Sequence, residues 1–158
     1  AFRKILPGEE RLHMVQLAVM DNECFRCLDL EVLRTGYTYS YETLEELRDR
    51  YPEDEFYFIL GADCLFTIET WRAPERILNC CTLVAAVRGE VDLAEMEAKR
   101  RELMQKFRPD REIILLPFLS MSLSSTEIRE RIRNGKSVRY LVPDRVLEYI
   151  REKELYLS

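Results

Sequence analysis

Ser124, Ser125 and Thr126 open the stretch "SSTEIRERIRNG" and stand directly before a helical run carrying Arg129, Arg131 and Arg133. Two chemistries use that order. Ser124 and Glu127 have the spacing of a capping box, in which each side chain satisfies the other's backbone N–H; the arginines are then solvated. In the other, the helix start offers free N–H groups and a partial positive charge to an anion. Ser125 and Thr126 add hydroxyl donors, and Arg129, one turn in, lies beside the same anion and holds phosphate oxygens through its planar fork. Arg131 points elsewhere and reads as solvated. The residue types alone leave both readings open.

Three further groups are candidates. Asp63 follows a buried apolar run directly, as a helix cap or as a partner for ribose hydroxyls or a cation. Trp71, the only tryptophan, lies eight positions on and is either core or ligand platform. "YTYSYET" alternates Tyr37, Tyr39 and Tyr41 with Thr38, Ser40 and Thr43. Those aromatics either flank a strand edge or wall a flat aromatic ligand whose carboxylate meets a hydroxyl and helix N-terminal amides. Cys24 and Cys27 have no second pair and no nearby histidines for a metal or redox site, and read as a buried strand pair.

The elements that must position these residues follow from periodicity and punctuation. Glu9 to Met20 predicts a helix with a wide apolar face. "FRCLDLEV" alternates like a strand. "TGYTYSYETLEELRDRYP" predicts a loop and a helix, with Thr38 or Ser40 as cap and Pro52 just past the end. "FYFILGAD", "CTLVAAVRG" and "EIILLPF" are apolar runs expected as strands buried on both faces. A short helical piece with Trp71 and Pro74 separates the first two, and "DLAEMEAKRRELMQKF" is a charged amphipathic helix. Asn134-Gly135 stops the next helix, and Pro143 sits at the first turn of the last one. Alternation of strands and helices predicts an α/β fold, a doubly wound parallel sheet, in a single domain over residues 1–158. In such a sheet ligands bind beyond the carboxyl ends of the strands, which selects Gly61-Ala62-Asp63, Arg88-Gly89 and the Ser-rich segment and predicts that they converge on one crevice.

Composition narrows the classes. The chain has 158 residues, 47% of them hydrophobic and 34% charged, as expected of a globular domain with a sizeable core. A net charge of -5 argues against a nucleic-acid partner. No apolar run is long enough to span a bilayer, so no membrane partner is expected. The five cysteines, an odd number, read as reduced and the protein as cytoplasmic.

Four segments in register resemble the nicotinate-nucleotide adenylyltransferase family. "RTGYTYSYETLEELRDRYP" is similar to that family's "GxSYTxxTL", and "FYFILGADCLFTIETW" to its "FIxGxDxLxxxxxW". "SLSSTEIRERIRNG" is similar to "ISSTxIRxxxxxG", and "VRYLVPDRVLEYIREKELY" to "YLxPxxVxxYI". The match covers nearly all of the chain from Arg11 onward. The resemblance implies a Rossmann-like nucleotidyltransferase fold and transfer of the adenylyl group of ATP to nicotinate mononucleotide, giving the deamido dinucleotide and pyrophosphate, with Mg2+ assisting. It implies that Ser124, Ser125, Thr126 and Arg129 hold the ATP phosphates, Arg129 being the catalytic charge stabiliser. Asp63 would bind ribose hydroxyls and Trp71 would stack on the pyridine ring. Tyr39 and Ser40, with Arg72 and nearby amides, would receive the nicotinate carboxylate, and Thr43 would support that loop.

The family's "GGxFDPxHxGH" element has no counterpart in this sequence, whose one histidine, His13, reads as an ordinary helix residue. The chain is therefore expected to begin partway through the fold, without the family's first strand and helix, leaving apolar faces and a strand edge uncovered. Glu69 stands where many members have Pro, and Arg72 where some have an aromatic residue. Two other functions compete: a non-catalytic nucleotide-binding module, and a sibling adenylyltransferase with another phosphorylated acceptor. Oligomeric state stays open, a homo-oligomer being one option.

Overall fold

The computed structural model describes residues 5–87, 93–117 and 123–157. They form helices α1 (Gly8–Val19), α2 (Leu30–Leu33) and α3 (Ser40–Arg50), strand β1 (Tyr57–Gly61), helix α4 (Ala62–Thr67), a 3-10 turn (Ile68–Thr70) and helix α5 (Pro74–Cys80). Strand β2 (Thr82–Val87), helix α6 (Leu93–Phe107), strand β3 (Ile113–Pro117) and helices α7 (Ser125–Arg133) and α8 (Asp144–Glu152) follow. The chain divides into two compact units: Gly36–Ser120 is one, and Ala1–Thr35 with Met121–Ser158 is the other.

The first unit is the α/β part. Its sheet has the order β1-β2-β3 with all strands parallel, and Ile59, Val84 and Ile114 lie in one row across it. Parallel neighbours need a crossover between them, and the helices between the strands supply it. One face carries the core: Leu60, Leu83, Ala85 and Ile113 pack with Leu65, Ile68, Ile77, Leu78, Met96 and Leu103. Leu65, Ile68, Leu83, Met96 and Leu103 have no exposed surface. Each such side chain contributes about 1.5–3 kcal/mol by leaving water.

The opposite face corrects an expectation. Strands β1 and β3 are not buried on both faces: Tyr57, Ile59, Ile114 and Leu116 are 56%, 69%, 37% and 46% exposed. An unbroken apolar run cannot tell a strand covered on two sides from one covered on one, because the alternation that distinguishes them is absent.

In the second unit, α8 presents Val146, Leu147 and Ile150 as its buried stripe. Its Tyr149 hydroxyl donates to the Glu10 carboxylate of α1 at 2.6 Å, and the His13 ring meets the Tyr149 ring edge-on at 4.6 Å. None of the α1 residues is fully buried, and Val15 is 49% exposed, because positions 12, 15, 17, 19 and 20 do not fall on one narrow stripe. "FRCLDLEV" is not a strand: it is irregular up to Asp29 and then enters α2. Cys24 is exposed and Cys27 half-buried, so they are not a buried strand pair. Short-range alternation made the strand plausible, but a strand needs a partner, and none of the described strands pairs with this segment. Helix α7 ends as its sequence requires. Gly135 takes the left-handed conformation with φ 66, its N–H reaching Ile132 O at 3.0 Å, and the Lys136 N–H reaches Arg131 O at 2.8 Å.

Candidate functional site

Helix α7 organises the hydroxyl cluster. Ser124 is its N-cap, with extended φ -122 and ψ 152, and its Oγ accepts from the Glu127 N–H at 3.1 Å. Ser125 and Thr126 follow in the first turn, where backbone N–H groups lack intrahelical partners. The half-buried Arg129 side chain turns back along the helix and donates through Nη2 to Thr126 Oγ1 at 3.3 Å. Hydroxyls, amide dipole and guanidinium thus share one helix end. The capping box is only half made. The Glu127 carboxylate accepts from Arg131 Nε and Nη2 at 3.0 and 2.9 Å. Arg131 is therefore ion-paired rather than merely solvated, since residues four apart on a helix are neighbours.

Tyr156, which sequence reasoning missed, lies within electrostatic reach of both Arg129 and Arg11. Burial raises the Tyr156 phenol above its ordinary range, and the charges of Arg129 and Arg11 oppose that rise. Positions 11, 129 and 156 lie too far apart in sequence for any periodic signal to join them.

The other candidates belong to the α/β unit. Tyr39 occupies the N-cap of α3 without a side-chain cap, and Ser40 is the first helical residue. Neither Thr38 nor Ser40 holds the cap position; β-region backbone at Tyr39, φ -113 and ψ 139, starts the helix one residue away from each. The Tyr39 carbonyl accepts from the Glu42 and Thr43 amides at 3.1 and 3.4 Å. The Tyr39 and Tyr41 rings lie 6.0 Å apart and nearly parallel, at 18°. The Arg76 guanidinium sits 4.1 Å from the centre of the Tyr41 ring, anchored by Glu45 through Nε at 2.7 Å. The hydrogen bond from Tyr41 to Glu42 raises the phenol's pKa, while the charges of Arg76 and Arg72 oppose the rise. Arg72 therefore acts electrostatically on this aromatic group. Tyr41 belongs to the tyrosine ladder visible in the sequence; Arg76 is the further member that sequence reasoning did not single out, because the arginine that caps the ladder comes from α5.

Asp63 is exposed in the first turn of α4, where Gly61 holds the cap position, so the helix-cap reading of Asp63 does not apply. Trp71 follows the 3-10 turn and donates its backbone N–H to Ile68 O at 3.0 Å. Its half-buried ring meets Phe58 at 6.5 Å and 64°, an edge-on contact that ties the indole to the core without enclosing it. The indole is therefore a partly buried flank of the core that keeps some exposed surface. Arg72 is exposed, and Ala73 turns the chain through a left-handed φ of 50 before Pro74 opens α5. Arg88 and Gly89 lie outside the described residues. Among the described residues, no three His, Cys, Asp or Glu side chains are grouped to hold a metal ion. Among them, too, no helix is long and apolar enough to cross a membrane.

Comparison with known proteins places these observations in a family. The signature of the cytidylyltransferase-like family matches residues 1–131. The chain is 40% identical over 154 residues to a probable nicotinate-nucleotide adenylyltransferase of Lachnoclostridium phytofermentans, covering 98% of this chain and 76% of that protein. It is 41% identical over 160 residues to one from Dehalococcoides mccartyi strain CBDB1, covering 99% of this chain and 76% of that protein. The fold is also that of the Plasmodium falciparum nicotinic acid mononucleotide adenylyltransferase complexed with APC, with a TM-score of 0.70 at 19% identity, over 94% of this chain and 75% of that one. With four motifs in register and a parallel α/β sheet to carry two of them, the chain belongs to the cytidylyltransferase-like family and, within it, to the nicotinate-nucleotide adenylyltransferases.

Proposed function

We propose that the protein transfers the adenylyl group of ATP to nicotinate mononucleotide, releasing pyrophosphate and forming the deamido dinucleotide of NAD synthesis. The observation that carries this reading is the start of α7, where Ser124, Ser125, Thr126 and the Arg129 guanidinium gather donors and positive charge at one helix end. The α-phosphorus of ATP is attacked by a phosphate oxygen of the mononucleotide, and the bond to pyrophosphate breaks. No covalent bond to the protein is needed, so the chain's contribution is positioning and charge neutralisation. The amides and hydroxyls at the start of α7 hold phosphate oxygens, and Arg129 offsets the charge that builds on the leaving pyrophosphate.

The nicotinate half of the reading draws on the α/β unit. Trp71 offers an indole face to the pyridine ring, and Asp63 an exposed carboxylate to ribose hydroxyls. Tyr39, Ser40 and the α3 amides, with Arg72, supply donors and charge for the nicotinate carboxylate. Magnesium enters this reading as the companion of the triphosphate, and no step is routed through it.

The test is pyrophosphate release by the full natural protein from ATP with nicotinate mononucleotide. Turnover is expected with this acceptor and little with phosphopantetheine. No turnover with any acceptor, together with dinucleotide binding by calorimetry, would leave a binding module instead.

A further inference from the structure

We infer that Glu69 is a positioning residue for Trp71, its carboxylate tying the 3-10 turn before the indole to helix α6. The inference rests on the reading of Trp71 as the platform for the pyridine ring. The turn Ile68–Thr70 delivers Trp71 directly: Ile68 is fully buried, the Trp71 N–H closes on its carbonyl, and Thr70 Oγ1 donates to Thr67 O at 2.7 Å. Glu69, inside that turn, uses each carboxylate oxygen on a different lysine. Oε1 accepts from Lys106 Nζ at 2.6 Å, and Oε2 accepts from Lys99 Nζ.

Lys99 and Lys106 are two turns apart on α6, on the same face. Lys99 is further held by Glu102 at 3.1 Å. The side chains of Lys99 and Glu69 are only 12% and 20% exposed, so this pair is screened less than one in open solvent. A carboxylate gripped at both oxygens is fixed in orientation as well as in place, and so is the turn that carries it. The hydrogen bonds from Lys106 and Lys99 hold the Glu69 carboxyl below its ordinary range, in keeping with a grip on its charged form. Phe58 meets the indole at 6.5 Å and 64°, and the tether fixes the backbone turn from which the indole projects.

Trp71 is the only tryptophan of these 158 residues, and the emission lost in Trp71→Phe isolates its signal. In the full natural protein, Glu69→Gln should raise KM for nicotinate mononucleotide about threefold to tenfold while kcat and KM for ATP hold, since ground-state placement of one substrate is what is lost. Its emission should shift to the red, and quenching by the mononucleotide should weaken. Lys106→Met, at a side chain 57% exposed, removes one arm without touching the core and should move the same readouts less. Quenching present in the parent and unchanged in both variants, with unchanged KM, overturns the tether alone. A parent that shows no quenching overturns the pyridine reading and the tether together. An equal fall in activity toward both substrates, with lost helical circular dichroism, marks Glu69 as purely structural and also overturns the inference.

Discussion

The Arg129 guanidinium donates to the Thr126 hydroxyl at 3.3 Å, so the side chain folds back one turn toward the start of its own helix. Helical side chains lean toward the N-terminus, and that lean is what lets a residue one turn in serve the helix end. Cation, hydroxyl and free amides then act on the same volume. An anion there meets a full charge and a helix dipole of the same sign.

Arg129→Ala is expected to lower kcat/KM about hundredfold, the scale of removing one preorganised donor from a developing charge. Arg129→Lys should recover only part of this, because an ammonium lacks the planar fork. Unfolding free energies of both variants should stay within about 1 kcal/mol of the parent, as expected for a half-buried side chain with one long hydrogen bond. Steady-state pyrophosphate release and urea titration check the two halves.

Ser124 has two roles that one substitution separates. Ser124→Ala should cost about 1 kcal/mol of stability through loss of the N-cap. Ser124→Asp keeps a capping oxygen for the Glu127 amide and should preserve stability, yet it puts a negative charge where phosphate is proposed to bind. KM for ATP should therefore rise about tenfold or more in the Asp variant. Thermal melts and ATP titrations of the two proteins side by side decide it.

Arg72 is expected to govern the choice of acceptor. A site built to pair a carboxylate rejects the neutral amide because its donors are left unmet. Arg72→Ala should lower the preference for nicotinate over nicotinamide mononucleotide about tenfold or more, mainly by weakening the acid substrate. Parallel kcat/KM measurements on the two mononucleotides read this directly.

Burial pushes the Cys81 thiol up to about 12, with Cys80 adding to the rise. Its sulfur donates to Ile77 O at 3.5 Å in the core. Two outcomes follow. At pH 8 a thiol reagent should label the exposed Cys24 quickly and Cys81 at least about a thousandfold more slowly, since the thiolate is the nucleophile. Above the ordinary thiol value of 9.0, the unfolded chain releases this proton while the folded chain keeps it until about 12, so stability falls across that window as pH rises. Cys81→Ala should flatten that part of the fall, measured as denaturant midpoints at pH 8 and pH 10.

The sequence by itself determined the three strands, the helices between them and the hydroxyl–arginine order of α7. These are local: an apolar run, a Gly or Pro stop and a one-turn spacing all act within about ten residues. Tertiary structure alone decided what lies on the two sides of the sheet. Leu83 and Ile59 read alike in the sequence, yet one has no exposed surface and the other is 69% exposed. It also decided that "FRCLDLEV" enters a helical turn, that Arg76 covers the Tyr41 ring, and that Glu69 grips two lysines 30 and 37 positions away. Such contacts depend on which surfaces meet after the chain has closed long loops, and no pattern along the chain encodes which surfaces those are.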